Sequence, residues 1–172
     1  MLDTFRVISA GYCGVAAVVH GQIIRGNHLV KVDCEDMNPF RSINAPLDGT
    51  IDADGSVHLC PQKPLTKSFQ LIPAKDTSIF VLKLIPGLDP AVFTMLSSYA
   101  HVIIEGYGSG GIPVYLEGGL KSLIEHGTRV YITTECLSGT VDLTKYAVGC
   151  RAATLGAISL GSRTIADTVA AI

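Results

Sequence analysis

Several things this chain of 172 residues has little of narrow its class at once. Charged residues make up only 16% and the net charge is −2, with no basic block. That excludes the electrostatic footprint of a nucleic-acid binder. No apolar run approaches the roughly 20 residues a membrane span requires, so no membrane partner is expected. Met1 is followed closely by Asp3 and Arg6, with no long apolar core and no small-residue cleavage site, so no signal peptide is expected. The five cysteines, at 13, 34, 60, 136 and 150, are odd in number and contain no CxxC pair. A disulfide framework or zinc ribbon is therefore not expected, and the cysteine usage fits a reducing, cytoplasmic compartment. His58 and Cys60 stand one residue apart, but two ligands are too few for zinc. No metal and no cofactor is called for. There is no internal repeat and no low-complexity tract.

What remains is a chain that is 48% hydrophobic, enough to bury a core. Leu2, Phe5, Val7, Ile8 and Ala10 are spaced to give residues 1 to about 12 one buried helical face. Residues 14–19 read as a short buried strand turned by His20-Gly21-Gln22 into Ile23-Ile24-Arg25. Asn38-Pro39-Phe40 and Ala45-Pro46 break regular structure. A second hairpin is predicted around Asp54-Gly55, a pair suited to the positive φ of tight turns. Prolines 61, 64 and 73 with Lys63 and Lys67 mark a linker over 61–77.

After it the pattern alternates. Strands are predicted at 79–85, 101–105, 129–133 and 157–160. Helices are predicted at 89–99, 115–126, 142–155 and 163–171. Asp89-Pro90 supplies a cap and a first-turn proline. Such alternation means βαβ units on a parallel sheet. The expected organisation is a hairpin-containing tail of an α/β lobe over 1–60, the linker, and a small parallel-sheet lobe of flavodoxin-like or Rossmann-like type over 78–172.

The segment richest in chemical implication is His101–Pro113. A buried apolar run ends in a loop bearing Gly106, Gly108, Gly110 and Gly111. Glycine permits positive φ and close approach of another group, and α/β proteins place ligands at the carboxyl ends of their strands. The loop is therefore either the wall of a site or a tight strand-to-helix connection. No Gly-Lys-Ser/Thr follows, so it is not a phosphate loop. Cys136, after a strand end, is either a nucleophile or a buried small residue at a turn, and no base stands near it in sequence. Cys150 is expected in the core. His20, His28 and His101 have no ligand-spaced partner and are read as structural. Arg25 and Lys31 are read as salt-bridging residues.

Four stretches together resemble the type I, cytoplasmic-type L-asparaginases. They are VVHGQIIRGNHLVKV at 18–32 with NPFRSINAP at 38–46, LKLIPGLDP at 82–90, EGYGSGGIP at 105–113, and TECLSGTVDLTKYAVGCRAATLGAI at 134–158. The resemblance implies hydrolysis of a side-chain amide by a threonine nucleophile, with asparagine or a related amino-acid amide as substrate. The family's nucleophile sits in an N-terminal Thr-Gly-Gly-Thr motif, which this sequence does not contain. Lys75-Asp76-Thr77 has suitable letters at the end of the linker and is read as coincidence. The resemblance thus implies a C-terminal portion of such an enzyme, inactive alone, with no catalytic residue of its own.

It also implies a homo-oligomer, a dimer or dimer of dimers. In that assembly Gly108, Ser109, Gly110 and Gly111 reach towards a neighbouring subunit's active site. The family often has asparagine where this chain has Gly111, which removes one side-chain donor. Some relatives bind a regulatory asparagine where this chain has Glu105, Thr134 and Cys136. They carry arginine at the position of Glu105, which an acidic side chain cannot replace in pairing a carboxylate. The alternative is a free-standing, non-catalytic domain that binds or senses a small molecule at Gly106–Pro113.

Overall fold

The computed structural model describes residues 1–61 and 78–172. The predicted linker, apart from Pro61, and the Lys75-Asp76-Thr77 triplet lie outside the described residues. The chain divides into two compact units, Met1–Pro73 and Ala74–Ile172.

The first unit opens with helix α1, Leu2–Ser9. Strands β1, Ala16–Val19, and β2, Gln22–Arg25, form the first hairpin. Strands β5, Gly49–Ile51, and β6, Val57–Leu59, form the second, and the four strands make one antiparallel sheet in the order β1-β2-β5-β6. Between the hairpins, β3, Leu29–Lys31, pairs with β4, Phe40–Ser42. The expectation that Asn38-Pro39-Phe40 breaks regular structure is corrected at Phe40. Proline has no N–H to give, but it is tolerated at the entry to a strand, and the Pro39 carbonyl accepts from Val32 N–H at 2.8 Å. A central strand has both faces covered, and Ile23 and Ile24 of β2 are both fully buried.

The predicted buried face of α1 is also corrected. Val7 is buried, but Leu2, Phe5 and Ile8 are 64%, 62% and 64% exposed. Helical spacing of apolar residues shows which side would pack and does not supply the partner. Likewise β1 is half-buried along its whole length rather than buried.

The second unit contains β7, Ile79–Lys83; α2, Val92–Leu96; β8, His101–Gly106; α3, Glu117–Glu125; β9, Arg129–Thr134; α4, Ala147–Thr154; β10, Ile158–Ser159; and α5, Ile165–Ala171. The four strands form a parallel sheet in the order β10-β9-β8-β7. This is the small parallel α/β lobe read from the sequence. Each strand is added on the same side of the one before. Right-handed crossovers running one way place their helices on one face of the sheet. The core agrees. Leu82, Val102, Ile104, Val130 and Ile132 share one face by register and cluster with Phe93, Leu96, Leu116, Leu120 and Leu123.

Helices are shorter than predicted where side chains compete for the backbone. Asp142 Oδ1 accepts from both the N–H and the hydroxyl of Thr144, at 2.9 and 2.6 Å. That local turn delays α4 to Ala147 instead of 142. Asp89 Oδ1 accepts from Ala91 N–H at 2.9 Å, as a capping aspartate should, although the helix proper starts only at Val92. The threonine Thr164 caps α5 through a bond from Asp167 N–H of 3.1 Å. Cys150 is exposed, which corrects the expectation that it lies in the core, and Cys136 is exposed as well, against its reading as a buried residue at a turn. Cys150 lies off the packed side of α4, where Gly149 and Ala152 are the buried residues.

Candidate functional site

The glycine loop leaves the end of β8, a strand buried at every position except the half-buried Glu105. Its backbone is pinned at three points. Gly106 C=O accepts from Glu135 N–H at 2.9 Å, Ser109 C=O from Asp142 N–H at 3.0 Å, and Tyr107 C=O from Gly110 N–H at 3.0 Å. The loop is thereby tied to the segment that follows β9.

The four candidate residues divide into two pairs. Gly110 and Gly111 are buried and have φ of +96° and +116°. A Cβ on Gly110 would fall 2.6 Å from Val141 Cγ1, and one on Gly111 would fall 2.9 Å from the backbone nitrogen of Gly149. Both glycines are needed for the close approach of the loop to α4 and its leading turn. Gly108 is different. It is exposed, has φ of +52°, and has open space where a Cβ would be. Ser109 is half-buried, and its Oγ is enclosed without a hydrogen-bond partner among the described residues. The sheet order has no reversal among the described residues, so the crevice that a switch in strand order opens at the carboxyl ends of doubly wound sheets is not formed here.

Beside the loop, register sets Lys83, Glu105 and Thr133 across three neighbouring strands and Gly106 against Thr134. Lys83 Nζ lies 3.3 Å from Glu105 Oε1 and 3.5 Å from Glu135 Oε2. The hydrogen bond to Glu105 raises the lysine's pKa above its ordinary value. Glu105 is thus neutralised by Lys83, a residue with no distinguishing sequence signal, while Glu135 leaves the trio with one net negative charge. Thr134 Oγ1 accepts from Cys136 N–H at 3.1 Å. Glu105 and Thr134 therefore stand at adjacent strand ends with Cys136 two residues further on, and the carboxylates of Glu105 and Glu135 share Lys83 beside them. Among the described residues no three His, Cys, Asp or Glu side chains gather as a metal centre requires.

A second polar cluster, in the first unit, has no local sequence signature. Asp48 is 5% exposed. It accepts from Arg25 Nη2 at 2.6 Å, from Arg25 Nε at 3.2 Å and from the Tyr12 hydroxyl at 2.8 Å. Burial pushes its carboxyl up, but the bonds from Arg25 and Tyr12 outweigh this and hold it below the usual carboxylate range. Burial, together with the bond to Asp48, pushes the Tyr12 phenol up to about 12. These residues line a surface cavity of about 380 Å³ with Cys13, Gly14, Val15 and Pro61. A fork-to-carboxylate pair closed by a phenol joins β2, the turn before β5 and the segment after α1. It presents no nucleophile. His101, read as structural, lies 3.3 Å from the Tyr131 hydroxyl through Nδ1 and stacks on that ring at 5.9 Å.

Residues 78–171, more than half of the chain, match the model of the glutaminase/asparaginase C-terminal domain. The chain belongs to this family. It is 33% identical over 160 residues to an L-asparaginase of Thermococcus kodakarensis, covering 90% of this chain and 48% of that protein. It is 30% identical over 142 residues to a subunit of the glutamyl-tRNA(Gln) amidotransferase of Metallosphaera sedula, covering 80% of this chain and 32% of that protein. The solved structure of the thermostable L-asparaginase from Thermococcus kodakarensis superposes with a TM-score of 0.89 at 29% identity, over 97% of this chain and 52% of that one. The chain spans about half the length, or less, of these relatives. The family match falls on the parallel-sheet unit, the unit that carries the glycine loop. No helix among the described residues is long and apolar enough to cross a membrane.

Proposed function

We propose that this polypeptide is the C-terminal portion of an asparaginase-type amidohydrolase. In the complete enzyme it serves hydrolysis of L-asparagine to L-aspartate and ammonia, and by itself it is inactive. The observation that carries the reading is the joint one. The chain matches the family's C-terminal domain and about half of the Thermococcus enzyme, while the Thr-Gly-Gly-Thr segment that the resemblance assigns to the nucleophile does not occur in it. Without an activated hydroxyl there is no acyl intermediate to form. The asparaginase reading is preferred to the amidotransferase one because both the identity and the matched share of the relative are greater, 33% and 48% against 30% and 32%.

In this reading the chain works in a homo-oligomer. Gly110 and Gly111 hold the loop against α4. Gly108 and Ser109 are the part left to face an asparagine bound to a neighbouring subunit, Ser109 by turning out an enclosed hydroxyl that has no partner among the described residues. Glu105, Thr134 and Cys136 do not form a regulatory amino-acid site, because the excess negative charge of Glu135 beside the Lys83–Glu105 pair repels an α-carboxylate. The test is ammonia release from asparagine by the purified chain, against a mock purification that accounts for host enzyme. Activity at the background of the mock is expected. Ammonia above that background would overturn the reading.

A further inference from the structure

We propose that a cavity between α5 and the sheet of the second unit binds a small, doubly charged oxyanion, a phosphate or a short dicarboxylate. The inference does not depend on the asparaginase reading, and it concerns a place apart from the glycine loop.

Strand register builds one side of the cavity. His101 stands opposite Arg129, and Tyr131 follows two residues along β9, so the three side chains share a face of the sheet. It is the face opposite Val102, Val130 and Ile132, which belong to the apolar cluster. On it the stacked Tyr131 ring and the nearly buried His101 set a phenol and an imidazole side by side. Arg163, just ahead of α5, and Thr168, buried within it, supply the other side. The cavity holds about 270 Å³. Sites for drug-sized ligands start at roughly 300 Å³, so this one suits something smaller. His101 and Arg129 begin their strands, whereas the glycine loop leaves the other end of β8 at Gly106. The separation along the strand is about 16 Å at the usual rise per residue.

Charge selects the ligand. The sequence has six arginines. Arg6, Arg25, Arg41 and Arg151 pair with Asp3, Asp48, Asp36 and Glu117. The other two, Arg129 and Arg163, form no ion pair among the described residues, and both line this cavity. Among the described residues no Asp or Glu side chain lines it. Even with the main-chain carboxylate of Ile172 counted, two guanidinium groups leave the lining with an excess of positive charge. A planar guanidinium matches carboxylate and phosphate oxygens two at a time. Two such forks carried by separate elements, with a phenol and an imidazole beside them, fit a compact dianion.

The test titrates the isolated 172-residue chain with inorganic phosphate and, separately, with succinate, at fixed pH and ionic strength. Magnetic resonance follows the His101 imidazole and the amides of Tyr131 and Thr168. A saturable displacement of these signals is expected, and the tighter of the two ligands identifies the anion as phosphate or dicarboxylate. Chloride is expected to give no saturable change. Arg129→Gln and Arg163→Gln should each weaken binding roughly tenfold, the scale of one lost charge-assisted hydrogen bond. Both side chains are exposed, so the fold is expected to survive, with unshifted Val102–Ile104 amides as the check. Lys121→Gln, on α3, should leave binding unchanged. No saturable change with either anion would overturn the proposal. So would saturation by chloride, or an affinity that survives both arginine substitutions.

Discussion

The two units hold themselves together in different ways. In the second, hydrophobic burial is continuous. One sheet face and the helices on it supply a single cluster from Leu82 to Ala157. In the first, the buried apolar residues among those described are Val7, Ile23 and Ile24, and the most enclosed polar group is Asp48. An apolar core is insensitive to pH and indifferent to single surface charges. A unit tied by a carboxylate, a guanidinium and a phenol is neither. In the first unit α1 shows Leu2, Phe5 and Ile8 to solvent, and β1 is half-buried along its length. A unit held by one continuous apolar core and one held largely by a polar cluster stand in the same chain.

That contrast can be broken by mutation. The largest effect is expected from Leu120→Ala, since this side chain is completely buried in the α3 face of the core. It should cost the second unit about 4 kcal/mol, read from urea unfolding followed at β8 amides, with β2 amides unmoved. Gly111→Ala comes next, at about 3 kcal/mol, because a disfavoured φ adds to overpacking against the backbone of Gly149. Arg25→Ala should destabilise the first unit by about 2 kcal/mol, less than for a fully buried pair. Half of the Arg25 side chain is in water, so solvent already screens part of the interaction. Gly108→Ala, with a left-handed φ but free space, should cost only about 1 kcal/mol. If the two glycine substitutions cost the same, the division of the loop into a packed and a free pair fails.

The pH dependence of the first unit has a definite sign. Asp48 has a lowered pKa in the folded state, so its contribution is present above the unfolded carboxylate value and is lost as pH falls through the folded one. Tyr12 is raised from 10.0 to about 12. Its contribution is complete below pH 10.0 and is lost as the pH rises towards about 12. Amides of β2 should therefore lose protection at both extremes before those of β8 do. Loss in β8 first would reverse the comparison.

Much of the second unit was legible because the strands of a parallel sheet read as apolar runs bounded by glycine and proline, and three such runs stand between 79 and 134, although only β8 is buried almost throughout. The order of the strands was not legible, since periodicity carries no pairing. Nor was the division of labour in the glycine loop. Gly108 and Gly111 look alike in sequence, and only the position of Val148 and Gly149 makes one replaceable and the other not. The Asp48 cluster draws on residues 23 and 36 positions apart, beyond any local signal. The helical stripe of α1 was visible, but a stripe records a packing preference. Whether something covers it is decided elsewhere. Cys150 is expected in the core because free cysteine behaves as a small hydrophobe, whereas the small residues Gly149 and Ala152 take the packed side of α4.

The unequal self-sufficiency of the two units can be measured most directly by amide exchange along the isolated 172-residue chain at neutral pH. The account predicts strong protection at Val102–Ile104 and Val130–Ile132, at the level of global unfolding, and much weaker protection at Ala16–Val19 on the open edge. Protection at Ala16–Val19 equal to that of β8 and β9 would contradict the account.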